Sequence, residues 1–255
     1  MGAAEAALVT CDWEWAEREL RSIAAADLDH QDQAAVISQL VTFGTFKGAD
    51  VRSDFEQYKR LISGSSDMLF VGATHELNGI LAWVDGRLAA AHVDLLEAAR
   101  LSGQFAPARY PAAARVALWA GDPKAAAEDL DALAAIGAHG PAIELRTVAI
   151  RAGIAAASNR TSEALRLYLV TLEQARDLKL PWEEALIGLD MAILLDTAMP
   201  EVRLAAESAR DILAGLGAKP FLAQLDATMM RQQTTAEDPE PATPGHGERV
   251  RASDA

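Results

Sequence analysis

The sequence predicts an all-α protein, a right-handed α-solenoid of about five to six helical hairpins. Three observations support this fold class. The composition is 51% hydrophobic but only 5% aromatic, so small aliphatic residues dominate, and the abundant alanine is the best helix former. Short clusters of turn-forming residues recur at nearly even intervals. No run of alternating apolar and polar residues between turn signals predicts a strand.

The turn clusters divide the chain into repeats of similar length. Successive markers lie 36, 38, 35, 38 and 38 residues apart when they are taken at Asp12, Gly48, Gly86, Gly121, Asn159 and Thr197. This period is close to the roughly 34 residues of a tetratricopeptide (TPR) repeat, in which two helices form a hairpin. Each interval is therefore predicted to hold a first helix, a turn and a second helix.

The apolar pattern within each interval places the expected helices in order. We expect first helices to begin near residues 12, 51, 88, 123, 160 and 199, and second helices near 30, 66, 107, 139 and 181. Small residues such as Ala126 and Ala164 lie about one turn into the first helices, where they allow close packing. The second helices, for example around 186–195, are apolar on most sides, which is typical of helices sandwiched between neighbours. A short terminal helix follows them.

Changes in composition predict the domain boundaries. Residues 1–10 are expected to form an N-terminal extension, residues 11–230 the TPR-like solenoid, and residues 231–255 a disordered, acidic, proline-rich tail. The first residues lack the basic segment of a signal peptide, and no apolar run reaches the roughly 18–20 residues of a membrane span. Cys11 is the single cysteine, so no internal disulfide can form. We therefore expect a cytoplasmic protein.

The chain is strongly acidic. It carries 37 acidic against 23 basic side chains, which gives a formal net charge of −14. A negative field of this size repels phosphate backbones and anionic lipids, so we expect no direct nucleic-acid binding and no membrane binding.

The residue patterns predict no catalytic, cofactor or metal site. His75 and Glu76 begin like a zinc-protease motif, but Gly79 stands where the second histidine ligand is needed. The chain has no Gly-Lys-Ser or Gly-Lys-Thr triplet for phosphate binding, and Cys11 has no activating neighbour in the sequence. The tryptophans fall mostly near hairpin ends, which favours packing between helices over a ligand-stacking platform. We expect a protein that is not an enzyme and has no cofactor.

Asp190 is the polar residue with the strongest expected structural role. Apolar residues at 186, 187, 193 and 194 share its helix face, so its carboxyl group is expected to be buried. A buried carboxylate needs hydrogen-bond donors or a cation. Repeat arithmetic suggests Arg151 in the preceding second helix, Arg166 in the intervening first helix or Arg203 across the final hairpin, with a helix-terminal amide as a further option. Ligand binding by Asp190 is the functional alternative.

Three stretches of the chain resemble a known type of repeat region. They are Leu-Trp-Ala-Gly-Asp at 118–122 with 125–133, Ala-Gly-Ile-Ala-Ala at 152–156 with 163–168, and Leu-Asp-Met-Ala at 189–192 with 200–220. Together they resemble the C-terminal TPR-like region of class III adenylate or guanylate cyclases and of LuxR-like transcriptional regulators with a STAND or AAA-type ATPase core, all large bacterial signalling proteins. The resemblance concerns the repeat region alone. It implies a solenoid that binds proteins or senses ligands and regulates a catalytic module.

These features predict a non-catalytic protein-interaction or regulatory scaffold in bacterial signal transduction or transcriptional regulation. By the resemblance, its protein partner would be an ATPase, a cyclase or a regulator. The alternative is a solenoid that senses a small molecule and regulates such an ATPase or cyclase. A mainly apolar pocket with a few convergent polar groups would favour this alternative.

Overall fold

The computed structural model describes residue 7 and residues 10–237, which form an array of twelve α-helices without any strand. In chain order the helices are α1 (Trp13–Ala24), α2 (His30–Lys47), α3 (Arg52–Leu61), α4 (Met68–Val84), α5 (Leu88–Leu101), α6 (Ala106–Trp119), α7 (Pro123–Ile136), α8 (Pro141–Ala157), α9 (Thr161–Asp177), α10 (Pro181–Leu194), α11 (Pro200–Leu216) and α12 (Lys219–Glu237). A 3₁₀ turn, Gly103–Phe105, precedes α6. Within this part of the chain, no helix is both long and apolar enough to cross a membrane. The all-α fold class is confirmed, whereas the handedness of the superhelix stays a prediction.

Local sequence signals set where the helices begin and end. Each predicted start of a first or second helix lies within two residues of the observed start. The Asp29 carboxylate accepts hydrogen bonds from the backbone N–H groups of Gln31 and Asp32, and it thereby caps the start of α2. Gly48 ends α2 with a left-handed φ of 72°, a conformation that glycine adopts without a steric penalty. Proline lies in the first turn of α7, α8, α10 and α11, where a missing N–H costs nothing.

The C-terminal helix is longer than the sequence predicted. α12 has 19 residues and reaches Glu237, although a short terminal helix and a disordered tail from residue 231 were expected. Residues 222–237 contain neither glycine nor proline, so nothing in their backbone stops the helix earlier. The expected tail is therefore helical at 231–237. Its remainder, 238–255, and most of the expected N-terminal extension lie outside the described residues.

The second helices form an inner layer with strong curvature. Consecutive helices pack together along the chain, as α4 does with α5 and α10 with α11. In addition, α6 contacts α8, α8 contacts α10, and α6 reaches α10 directly. The inner layer therefore brings together helices that are two repeats apart in sequence.

An aromatic cluster joins the two ends of the array. The rings of Trp13, Phe46, Trp83, Trp182 and Phe221 are buried, with neighbouring centroids 5.1–6.3 Å apart. Several of these pairs meet edge to face, the arrangement that aromatic quadrupoles prefer. Since α12 also contacts α2, the last helix returns to the first repeat. The concave side of the array is thereby closed around its centre.

Gly188 is required for the close approach of α10 and α11. A Cβ atom at Gly188 would lie 2.6 Å from the carbonyl oxygen of Ala205 and 2.8 Å from the Cβ of Ala209. We expect Gly188→Ala to lower the free energy of unfolding by about 1–3 kcal/mol in urea denaturation, because the two helices must separate. Gly215→Ala is the control, since a Cβ there meets nothing within 4 Å. It should stabilise α11 by roughly 0.5–1 kcal/mol, and equal effects of the two changes would contradict the packing argument.

Candidate ligand-binding cavity

The inner helices surround a partly open central cavity with a volume of about 570 Å³. Helices α2, α4, α6 and α10 supply most of its wall, and α3, α5 and α8 contribute one residue each. The volume lies within the range of about 300–1,000 Å³ that is typical of small-molecule sites. The central cavity is therefore the candidate functional site.

One wall of the central cavity is an apolar stripe on α4. Phe70, Ala73, Leu77 and Ile80 follow each other at intervals of three and four residues, so they share one helix face. Trp83 extends this face by one further turn. On α6 the wall includes the short side chains of alanines 108 and 112, which leave room for a ligand. Burial of apolar surface against this stripe would be favourable, by roughly 25 cal/mol per Å² of apolar area removed from water.

Helix α2 contributes neutral polar groups to the wall. The hydroxyl groups of Ser38 and Thr42 donate to carbonyl oxygens of their own helix, at 2.8 and 3.1 Å. Their oxygen atoms retain the capacity to accept a hydrogen bond. The half-buried Gln39 lies beside them in the wall and can both donate and accept.

In contrast to the apolar stripe, a buried ion network of charged side chains lies on α6, α8 and α10. Arg146 Nε donates to Glu183 Oε1 at 2.6 Å, and Glu183 Oε2 lies 3.7 Å from Arg115 Nη1. Arg115 Nε donates to Asp190 Oδ2 at 3.0 Å, and Trp119 Nε1 donates to Asp190 Oδ1 at 2.7 Å. Arg115, Glu183 and Asp190 are each at most 3% exposed. The buried ion network thus connects three inner helices beneath the cavity.

A second ion pair lies in the cavity wall between α4 and α6. Arg109 Nη2 donates to Glu76 Oε2 at 2.5 Å. Both side chains remain partly accessible, at 13% and 31% of their surface. The pair is therefore closer to solvent than the buried ion network.

Asp190 is buried, but its predicted partners are wrong. The side chain is 1% exposed, whereas Arg151, Arg166 and Arg203 are all exposed on the surface. The repeat period suggested partners in the neighbouring repeats. The curvature of the inner layer instead brings α6, which lies two repeats earlier in the chain, against α10. The available signal was Arg115, which stands in an apolar stretch of α6 much as Asp190 does in α10. When two buried helices each carry one isolated charge and the charges have opposite sign, the two side chains are expected to pair, because a buried charge without a partner is costly.

Burial and charge act against each other at the acidic groups of the network. Burial acts to raise the pKa of the Glu183 carboxyl, but the guanidinium groups of Arg146 and Arg115 outweigh it and hold the pKa below its usual value. At Asp190 burial is the larger effect, and the pKa is raised despite the contacts with Arg115 and Trp119. Burial acts to lower the pKa of Arg115, but Asp190 and Glu183 together raise it. Arg115 therefore stays protonated.

Several polar atoms of the cavity-lining residues have no hydrogen-bond partner. They are Trp83 Nε1, Arg109 Nη1, Arg115 Nη2 and Glu183 Oε2, all of which are buried. Buried polar groups are normally hydrogen-bonded, and leaving one unpaired costs about 1–3 kcal/mol. Each of these four atoms has almost no accessible surface of its own, so a molecule in the central cavity would reach it only if the surrounding side chains shift.

The other residues considered for chemistry lie apart from one another. His75 Nδ1 is 2.8 Å from Asp94 Oδ1 on the next helix, and His92 Nε2 is 2.8 Å from Asp129 Oδ2. Burial raises the pKa of the Cys11 thiol to about 12, which disfavours the reactive thiolate. Among the described residues, no group of three or more His, Cys, Asp and Glu side chains is arranged to hold a metal ion.

No protein-family model, curated protein or solved structure matches this chain. The resemblance to the repeat region of cyclases and LuxR-like regulators therefore stays a prediction. The site must be interpreted from its own geometry.

The partner assignment of Asp190 can be tested by substitution. We expect Asp190→Ala to lower the free energy of unfolding by about 3–5 kcal/mol, because Arg115 is then left buried with less compensation. Arg203→Ala removes one of the partners that the sequence suggested, and it should change the free energy by no more than about 0.5 kcal/mol. Chemical denaturation measures both. The observed pairing would be contradicted if Arg203→Ala lowered the free energy of unfolding strongly and Asp190→Ala lowered it only slightly.

The lowered pKa of Glu183 predicts a pH dependence. A carboxyl whose pKa is lower in the folded state stabilises the protein above its unfolded-state pKa of about 4.3, and this contribution is lost as the pH falls through the folded-state value. The difference in unfolding free energy between wild type and Glu183→Gln should therefore be constant near neutral pH and shrink in acid. Denaturation curves from neutral pH down to about pH 3 measure it. The exposed Glu201→Gln is the control, and a difference for Glu183→Gln that grows in acid would contradict the assignment.

Proposed function

We propose that this protein is a non-catalytic regulatory solenoid that binds a small molecule in its central cavity. The observation that carries the proposal is a partly enclosed cavity of about 570 Å³ that combines an apolar stripe with a few polar and charged side chains. This combination is the feature that distinguishes a ligand-sensing solenoid from a simple scaffold. An open concave groove would favour a peptide or protein partner instead.

The way the array closes supports a regulatory role for such a ligand. Residues of α2 near the N-terminal end and of α10 near the C-terminal end line the same cavity. A ligand that contacts both would stabilise the arrangement in which the ends meet at the aromatic cluster. A ligand shifts a conformational equilibrium by the difference between its affinities for the two states. Ligand binding would therefore favour the closed arrangement of the helices over an open one.

The identity of the regulated protein is proposed from the resemblance alone. An ATPase, a cyclase or a transcriptional regulator would respond to the solenoid, in keeping with a role in signal transduction. Affinity purification of the intact protein followed by mass spectrometry tests this point. Recovery of an ATPase or a cyclase would support it, and recovery of neither from cells that express the chain at its natural level would count against it.

Filling the cavity should abolish ligand binding. A library of small molecules is screened for compounds that raise the melting temperature of the wild type, as expected when a ligand binds only the folded state. We expect Ala73→Trp to lose this stabilisation, because the new side chain occupies the space beside the stripe on α4. Ala89→Trp on the exposed side of α5 is the matched control and should respond like the wild type.

Two results would contradict the proposed function. One is a ligand that stabilises Ala73→Trp as much as the wild type, since such a ligand binds outside the cavity. The other is a screen across carboxylates, amides, alcohols and amines in which no compound stabilises the wild type.

A further inference from the structure

We propose that the ligand of the central cavity is an amphipathic carboxylate, whose apolar body lies along α4 and whose carboxylate is bound by Arg146 and Arg109, with Arg115 beneath them. This inference rests on the proposed function and specifies its ligand class. It follows from three properties of the cavity wall, which are its polarity pattern, the placement of its charges and the free donors of Arg146.

The first property is the separation of apolar and charged groups. The stripe at Phe70, Ala73, Leu77 and Ile80 offers apolar contacts over about three turns of α4. The arginines of the wall come from α6 and α8 instead. A molecule with an apolar body and a polar end matches this division, whereas a uniformly polar molecule would leave the stripe unpaired.

The second property is the placement of the charges. The arginines 109, 115 and 146 line the cavity together with Glu76 and Glu183, and Asp190 faces Arg115 beneath the wall, so each arginine meets one carboxylate. The wall is therefore balanced, whereas the whole chain has a formal net charge of −14. The guanidinium of Arg146 points two further N–H-bearing nitrogens away from its carboxylate partner, and the low dielectric of a partly enclosed site strengthens their attraction for an anion. An amine would be repelled by the same nitrogens.

The third property is the availability of hydrogen-bond donors. Trp83 Nε1, Arg109 Nη1 and Arg115 Nη2 have no hydrogen-bond partner, but they also have almost no accessible surface, so a ligand does not reach them without a shift of neighbouring side chains. The terminal nitrogens of Arg146 are not closed off in this way, and only Nε of this side chain is engaged by Glu183. A carboxylate accepts hydrogen bonds through two oxygens and donates none, which fits two free donors on one guanidinium.

Arg146 is the arginine best placed to meet an incoming carboxylate. Its Nε is engaged by Glu183, and its two terminal nitrogens have no protein partner in the described part of the chain. Its side chain is 16% exposed, against 3% for Arg115. A guanidinium can bind a carboxylate through two parallel hydrogen bonds, which gives directional as well as electrostatic selectivity.

The direct test compares two probes that differ only at the polar end. 4-Phenylbutyrate and its neutral analogue 4-phenylbutanamide have nearly the same shape. Their affinities for the full chain are measured by calorimetry near neutral pH, with the fluorescence of Trp83 and Trp182 as a second signal from the cavity wall. We expect the carboxylate to bind at least about tenfold more tightly, as is typical when a hydrogen bond gains a charge.

Two variants locate the carboxylate, and a third is the control. Arg146→Gln and Arg109→Gln should each weaken binding of 4-phenylbutyrate by about tenfold and leave binding of the amide unchanged. Arg109→Gln is the safer of the two for folding, because its partner Glu76 is 31% exposed and can be hydrated. Arg210→Gln on α11 is the matched control, since it also removes an arginine from an ion pair but lies outside the cavity wall. Thermal unfolding verifies that each variant is folded.

The outcomes separate this inference from the proposed function. Equal affinity for acid and amide, or equal loss of both in Arg146→Gln, would overturn the carboxylate assignment and leave cavity binding intact. The carboxylate assignment would also be overturned if neither probe bound while the screen yielded neutral or cationic ligands. Cavity binding would stand in that case if Ala73→Trp no longer bound those ligands. Failure of both probes together with an empty screen would overturn the inference and the proposed function.

Discussion

The ion pair between Arg115 and Asp190 is the interaction on which the inner layer depends. Both side chains are almost completely buried, and each would be costly to bury alone. Arg115 lies on α6 and Asp190 on α10, so the pair fixes the contact between two helices that are two repeats apart. Glu183 extends the network to Arg146 on α8. The register of the last three inner helices, and with it the position of the charged part of the cavity wall, follows from this arrangement.

Closure of the array converts a concave face into a cavity. The aromatic cluster brings Trp13 and Phe46 from the first hairpin against Trp182 and Phe221 from the last helices. The alanines and other short side chains of the inner helices then leave a space that larger side chains would fill. Residues from both ends of the chain therefore line the same space.

The site was only partly predictable from the sequence. Burial of Asp190 followed from its apolar neighbours on one helix turn, which is a local property. Its partner did not, because Arg115 lies 75 residues away and the contact depends on the curvature of the whole array. Arg109 and Arg146 belong to no motif in the sequence, because each is one of two arginines in a mainly apolar helix and nothing local shows which arginines face the cavity. Trp83 and Trp182 were assigned to packing, and they do pack, but they also line the cavity.

The sequence by itself determined the helices. Capping residues such as Asp29, glycines such as Gly48 and prolines at helix starts act over one or two turns, so the twelve elements and their repeat period can be read from local spacing. Only the tertiary structure decided that the two ends meet and enclose a cavity. Each repeat contributes a small rotation relative to its neighbour, and these rotations accumulate over the array. No local pattern encodes their sum, which places Phe221 against Phe46 and Arg115 against Asp190.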